Sequence, residues 1–570
     1  MLREPFGISI RTSNSNGSSK VGTDRIQVSP TGVSARERGR SVGAGVGAGR
    51  RRRGTVAGLF GAAVLVAGTV LTSGGAYAQP APGDHSAGRG EDDDRDGGKR
   101  DDHGKGDHGK GKRPGEKGTK RPAEPPAGGP SGAASAPSAG ARPAPASPAV
   151  LASVEAGAAT ALPTTQGLQQ ALAAALGDRT LGTVTFAVAD ASAGQLLYGS
   201  GENTPATPAS TTKLATSIAA LSLIPSDTRL TTRVVKGANP GEITLVGGGD
   251  PTLTALPADQ VQIGGLPADA DTAPASLDAL ARQTAAALRA AGTTAVTLDY
   301  DLSMYAGNPQ HKNHDAANIA LVVPLMVDEG KVDPKSREEA PPRVADPAGA
   351  AAESFAALLR AEGVTVDGKA RPAAAPAAAT APVLGRVDSP TIARLVERLL
   401  TTSDNTLAEA IARQAAVAAH QPASFEGAAT AVKQELARLG VPMTGVVLDD
   451  GSGLHPDNAI PPAVLVQLLA LAASDRHPAL RPVLTGLPIA GFTGTLGKRF
   501  GAGSGAADAA GLVRAKTGSL SGVNTLAGTV VDADGRLLAF AVMTRTPAPA
   551  DTARAAMDRI VARLAACGCH

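Results

Sequence analysis

Residues 1–160 of this 570-residue chain offer almost nothing from which a hydrophobic core can be built, so whatever folds must fold from about residue 161 onward. Residues 1–54 are rich in Ser, Gly and Arg, lack apolar periodicity, and end in Arg50, Arg51, Arg52 and Arg53. The single apolar run, 55–72, is followed by Ala76-Tyr77-Ala78 before Gln79. A basic flank, an apolar run and a small-x-small site, in that order, predict an export signal over 55–78. Eighteen residues interrupted by glycines are marginal for a spanning helix. Left uncleaved, the segment would be a membrane tether through 55–72. From 79 to 160 a mixed-charge tract, with His103 and His108 in Asp-His-Gly-Lys repeats, gives way to Pro, Ala, Gly and Ser. That is the composition of a solvated, disordered linker crossing a cell envelope.

The body of the chain carries few special devices. A net charge of +3 with 2% aromatic residues leaves no footprint of nucleic-acid binding. Only two cysteines occur, Cys567 and Cys569, so a disulfide-stapled core is excluded and the fold must rest on buried Val, Leu, Ile and Ala. After export the pair could close on itself or on a partner, or stay an unpaired terminus. Periodicity predicts a helix at 166–176 and a hairpin of strands 183–190 and 195–199, delivering the chain to a helix near Ser210. Strands at 230–236 and 242–246 stop at Gly247-Gly248-Gly249-Asp250-Pro251. A helix (276–291), a strand (295–299) and mixed segments continue to about 385. Helical spacing returns at 391–400, breaks at Thr401-Thr402-Ser403-Asp404-Asn405, and resumes from Thr406 to about His420. An antiparallel meander follows Val513, with an Asp534-Gly535 hairpin signal, and a final helix at 551–566 should cover it.

Three short patterns carry chemistry. Ser210 and Lys213 are three apart at the start of a helix and share a face, so the amine can take the hydroxyl's proton; the alternative is a hydroxyl cap beside a solvated lysine. Ser403 and Asn405 lie two apart on a loop between helices, with N-capping again the competing reading. Lys516-Thr517-Gly518-Ser519 opens the meander. Asp250 either points into a site or caps its own turn before Pro251. His311 and His314 share a helical spacing within a loop, which is weak ground for a metal.

Taken in order, Ser210-x-x-Lys213, Ser403-Asp404-Asn405 and Lys516-Thr517-Gly518 resemble the penicillin-recognising serine acyl-transferases. About 190 positions separate the first two motifs. That spacing, with Gly249-Asp250-Pro251-Thr252-Leu253, Asp450-Gly451-Ser452-Gly453-Leu454 and Leu487-Pro488-Ile489-Ala490-Gly491, is similar to low-molecular-mass class C penicillin-binding proteins, the D-alanyl-D-alanine carboxypeptidase/endopeptidase family of penicillin-binding protein 4 type. Ser519 in place of a Thr, His455 after Gly453-Leu454, and a loose match over 310–345 depart from that pattern.

The resemblance implies an α/β penicillin-binding transpeptidase-like fold: an antiparallel sheet flanked by helices, an all-helical subdomain, and a large insert between the first two motifs. The expected parts are 161–225 and 386–570 for the transpeptidase-like domain and 226–385 for the insert. It further implies a secreted or membrane-anchored serine carboxypeptidase of the cell envelope, acting on peptidoglycan stem peptides and acylated by β-lactam antibiotics, with no metal or cofactor. The expected roles are nucleophile for Ser210, base for Lys213, proton relay for Ser403, a hold on Lys213 and the substrate amide for Asn405, carboxylate recognition for Lys516 and Thr517, and room for substrate backbone against the strand at Gly518. Two backbone N–H groups, at Ser210 and Ser519, would hold the oxyanion. Burial and the neighbouring Lys516 would lower the Lys213 pKa. Asp250 would meet the amine of a diaminopimelate side chain. The other readings are a serine β-lactamase, for which no class A E-x-x-x-N triplet is found and the insert is too long, and a non-catalytic wall-binding protein that has kept the fold.

Overall fold

The computed structural model describes residues 161–263, 266–336, 338 and 340–570. The export signal, the tether at 55–72 and the linker expected at 79–160 lie outside the described residues. No helix among the described residues is long and apolar enough to cross a membrane.

In chain order, α1 (Thr165–Leu176) precedes β1 (Thr183–Asp190) and β2 (Leu196–Ser200), and a 3₁₀ turn at Ala209–Thr211 enters α2 (Thr212–Leu223). Then come β3 (Arg229–Lys236), β4 (Glu242–Val246), the short hairpin β5 (Gln262–Ile263) and β6 (Leu266–Pro267), α3 (Leu277–Ala290), β7 (Ala295–Asp301), α4 (Pro347–Ala361), β8 (Thr365–Pro372) and β9 (Val383–Thr391). The chain closes with α5 (Ile392–Thr402), α6 (Asn405–Ala418), α7 (Phe425–Arg438), α8 (Pro462–Ala473), α9 (Pro482–Thr485), β10 (Val513–Leu520), β11 (Val523–Val531), β12 (Leu537–Arg545) and α10 (Ala550–Ala565).

The first sheet is antiparallel, ordered β10-β11-β12-β1-β2, so the strand bearing Lys516 lies at an edge. Its two faces differ in residue size. Phe186, Val188, Leu526, Leu538, Phe540 and Val542 face α1 and α10. Ala187, Ala189, Ala527, Ala539 and Ala541 face the layer that holds α2 and α8. Small side chains on that face let α8 lie close to β1 and β12. Helix α2 is buried all round from Thr212 to Leu221 and so keeps no solvated face along that stretch. It packs against α5, α6, α7 and α8 inside one apolar core.

The second sheet, β8-β7-β4-β3-β9, carries α3 and α4 and has its own core of Leu, Val, Ala and Phe355. It is mixed: β4 and β7 pair in parallel, as do β7 and β8, and α3 and α4 supply the connections that parallel pairing requires. Strand β9 runs through Gly385 straight into α5, so the insert and the all-helical part are joined without a linker. Cys567 and Cys569 are joined to each other. The Cys569 carbonyl accepts from Thr164 N at 2.8 Å, and Thr164 caps α1.

Candidate active site

Ser210 follows a forced bend. Ala209 has φ +47°, a left-handed conformation that costs a residue with a Cβ. The bend is held at the Pro208 carbonyl, which accepts from Thr211 Oγ1 at 2.7 Å and Thr525 Oγ1 at 2.8 Å. Thr211 occupies the cap position of α2 but makes no side-chain cap, and neither does the residue heading the 3₁₀ turn. The Ser210 hydroxyl is therefore not consumed in capping. One turn on, Lys213 Nζ donates to Ser210 Oγ at 2.9 Å, to Asn405 Oδ1 at 2.7 Å and to the Ser452 carbonyl at 2.7 Å. An ammonium has three N–H groups, and all three are used.

Lys213 is fully buried. Burial lowers its pKa from 10.5 to about 8, while the carboxylates of Asp450, Glu409 and Asp404 push the other way. Desolvation thus carries the shift, as one of the two expected causes; the other, Lys516, is not among the groups that move it.

The junction between α5 and α6 supplies the next pair. Helix α5 ends at Ser403 in the left-handed region, φ +61°. Asp404 caps α6, its Oδ1 accepting from Leu407 N at 2.8 Å. Asn405 is the first residue of α6 rather than part of a loop. Because Asp404 does the capping, the residues on either side of it are released to different partners. Asn405 reaches Lys213 and donates from Nδ2 to the Asn318 carbonyl at 3.0 Å. Ser403 Oγ accepts from Lys516 Nζ at 2.8 Å.

On β10, buried Lys516 also donates to the Thr517 carbonyl at 2.8 Å. Thr517 Oγ1 donates to Thr495 Oγ1 at 2.8 Å, and exposed Ser519 Oγ accepts from Arg554 Nη2 at 3.0 Å. A Cβ on Gly518 would stand 2.2 Å from Thr525 Oγ1, 2.8 Å from the Pro208 carbonyl and 2.9 Å from Ser210 N. Only glycine lets this edge strand lie against the backbone of the Ser210 bend.

Five polar side chains of the three motifs thus fall into two hydrogen-bonded groups, Ser210–Lys213–Asn405 and Ser403–Lys516, joined along the chain from Ser403 to Asn405. Asp250 is placed differently. It is buried, and its Oδ1 accepts from Thr252 N at 2.8 Å and Thr252 Oγ1 at 2.6 Å, within its own turn. Burial pushes its carboxyl upward, with Arg398 opposing and Glu329 reinforcing. Among the described residues it has no hydrogen bond to the Ser210–Lys516 group. Arg398 and Lys331 both pair with Glu329, the latter at 2.6 Å, and the Arg398 pair ties the insert to α5.

Several contributors escaped the sequence reading. Glu409 is fully buried one turn beyond Asn405, and its carboxylate accepts from Gly451 N and Ser452 N. Its signal was a single acid among Leu407, Ala408, Ala410 and Ile411 on a helix. His314 Nε2 donates to Asp450 Oδ2 at 2.8 Å, so the loop around 310–320 belongs to the wall of the site. Thr495 and Arg554 left no pattern, because they arrive by tertiary packing.

The sequence profile of the D-Ala-D-Ala carboxypeptidase 3 (S13) family matches residues 168–342 and 329–565. The chain is 38% identical over 416 residues to Carboxypeptidase DacB of Mycolicibacterium smegmatis, covering 71% of this chain and 85% of that protein. It is 36% identical over 438 residues to Carboxypeptidase Rv3627c of Mycobacterium tuberculosis, covering 75% and 90%. In fold it is similar to penicillin binding protein 4 (dacB) from Haemophilus influenzae, with a TM-score of 0.54 and 20% identity over 71% of this chain and 98% of the other. That protein has also been solved in complex with a β-lactam.

Proposed function

The chain belongs to the D-Ala-D-Ala carboxypeptidase 3 (S13) family, and from that membership we propose that it removes the terminal D-Ala of peptidoglycan stem peptides through an acyl-enzyme on Ser210. The observation that carries the proposal is the contact of the buried Lys213 amine with the Ser210 hydroxyl at 2.9 Å.

A neutral amine has two N–H groups and one lone pair. With Asn405 Oδ1 and the Ser452 carbonyl taking the two N–H groups, the lone pair is left facing Ser210. Ser210 Oγ attacks the penultimate carbonyl as its proton passes to Lys213. The oxyanion is held by the N–H groups of Ser210 and Ser519, on the bend and on β10 respectively. Ser403, hydrogen-bonded to Lys516, gives its hydroxyl proton to the D-Ala nitrogen as the C–N bond breaks and takes in return the proton held by Lys213, which is neutral again for the second half of the reaction. Lys516 and the Thr517 hydroxyl receive the terminal carboxylate of the substrate. Water then attacks the ester, its proton moves to Lys213, and Ser210 recovers its own as the acid leaves. A β-lactam enters the same first step and stops at the ester. The order of signals over 50–78 supports action outside the cytoplasm.

The test uses the full chain and Ser210→Ala, each incubated with a fluorescent penicillin, a D-Ala-D-Ala peptide and a cross-linked peptide dimer. Wild type should label and release D-Ala, and Ser210→Ala should do neither. Cleavage of the dimer would add endopeptidase action. Absence of label on the wild type would falsify the acyl-enzyme, and rapid loss of label without D-Ala release would mark a β-lactamase.

A further inference from the structure

We infer that Glu409 is a positioning residue for Lys213: it holds the loop whose Ser452 carbonyl takes one proton of the amine, and it places a negative charge behind that loop. The inference rests on Lys213 being the base for Ser210.

Asn405 and Glu409 are four residues apart on α6 and so share a face. Asn405 grips Lys213 directly. Glu409 grips it at one remove. Its Oε1 accepts from Gly451 N at 3.0 Å and from Ser452 N at 2.7 Å, and its Oε2 accepts from Gly451 N at 3.1 Å. Ser452 then turns its carbonyl to Lys213 Nζ at 2.7 Å. The approach is close: a Cβ on Gly451 would stand 2.5 Å from the Ala412 side chain and 3.3 Å from Glu409 Oε2. The other side of the loop is held by Asp450, which accepts from Gly453 N at 2.8 Å, His455 N at 2.7 Å and Asn458 Nδ2 at 2.7 Å, with His314 Nε2 at 2.8 Å. Segment 450–453 has no helix or strand of its own, so these carboxylates define where the Ser452 carbonyl sits.

A carboxylate with no exposure, spent on N–H groups of a loop, does structural work. Burial and the Asp450 carboxylate push the Glu409 carboxyl upward, opposed by His314 and by the Gly451 and Ser452 N–H groups it accepts from; once ionised, it also biases the amine behind the loop, which must alternate between charged and neutral forms. The groups facing this region are Lys213 on α2, Asp450 and His455 on the loop, His314 from the insert side, Asp404 and Arg413 on either side of Glu409 in sequence, and Lys516 across the Ser403 contact. Of these, Asp450, Glu409 and Asp404 favour the protonated amine. Removing the Glu409 charge while keeping its shape should therefore make the amine neutral at lower pH.

The experiment measures the second-order rate of acylation by a fluorescent penicillin against pH for the full-length wild type, Glu409→Gln and Glu409→Asp, with Ser210→Ala as the blank. Glu409→Gln should move the rising limb about one pH unit to the acid side, the size of shift that one nearby charge produces, and should lower the plateau. Glu409→Asp keeps the charge but retracts it by one methylene. Its limb should stay in place while its plateau falls by roughly tenfold, from the misplaced carbonyl. A Glu409→Gln protein that melts like wild type with an unmoved limb overturns the inference. If Glu409→Gln does not fold, Glu409→Asp decides alone, and a wild-type plateau in it overturns the inference. Failure of the wild type itself to label sinks the base reading first, which a labelled wild type with unresponsive Glu409 variants does not.

Discussion

At the scale of single residues, the cost and use of Lys213 are the same fact. Holding its pKa near 8 instead of 10.5 corresponds to about 3 kcal/mol favouring the neutral amine. The folded protein therefore binds fewer protons here than the unfolded chain between pH 8 and 10.5. This contribution to stability is present in full above the unfolded value and is lost as pH falls through about 8. Activity follows the same titration with the expected sign, since a base must be neutral. Acylation should rise close to tenfold per pH unit below pH 8 and level off above it. Lys213→Arg should remove acylation at every accessible pH, because a guanidinium does not deprotonate. Stopped-flow labelling across pH checks both, and a flat profile for the wild type would contradict the base role. The motif residues were legible in the sequence because their chemistry is local: a hydroxyl and an amine three apart can meet only on a helical face. Glu409 was not, since an acid on a helix normally marks the solvated side and only packing makes it an interior group.

At the scale of elements, α6 explains why irregular chain around the site is ordered. Asn405, Glu409 and Arg413 recur at four-residue intervals and form a polar seam on an Ala/Leu helix, half-buried at Asn405 and buried at Glu409 and Arg413. Asn405 meets Lys213, Glu409 meets the 450–453 loop, and Arg413 donates to the carbonyls of Ala306, Asn308 and Ala423 while lying over Phe425. Three segments without secondary structure are thus pinned by one helix. Helices and strands of strong period were read from the sequence to within a few residues, as with β1, β4 and α3. The exceptions include α4, β8 and β9, where Ala, Gly and Pro hide the period and the partners are distant, and α7 and α8, which went unread. The start of α6 shows how one residue divides labour. Asp404→Ala should lose the cap, about 1 kcal/mol, and lower acylation at least tenfold by letting Ser403 and Asn405 move. Asp404→Asn keeps a cap and removes a carboxylate that sits beside Glu329. It should melt no lower than wild type and keep most of the acylation rate. Calorimetry with penicillin labelling distinguishes these outcomes, and equal loss in the two variants would show that charge, not capping, is what matters.

At the scale of the whole described body, the insert and the helical part are held together by charge as well as by chain. Glu329 is all but buried between Arg398 on α5 and Lys331, and these cations hold its carboxyl well below the usual range. Arg398→Met leaves Glu329 with Lys331 as its one remaining cation, so it should destabilise by about 1–3 kcal/mol, less than stranding a lone buried charge. Adding Glu329→Gln should recover part of that loss, because the under-compensated charge is gone. Urea unfolding of the two single variants and the double tests this, and strict additivity would mean the pair is not coupled. The two ends of this body meet at Thr164 and Cys569, in the α1 and α10 layer, on the large-residue face of the first sheet. Ser210 stands on the other face. Chain joined at either end therefore meets this body on the layer of α1 and α10 and leaves the Ser210 side of the sheet uncovered.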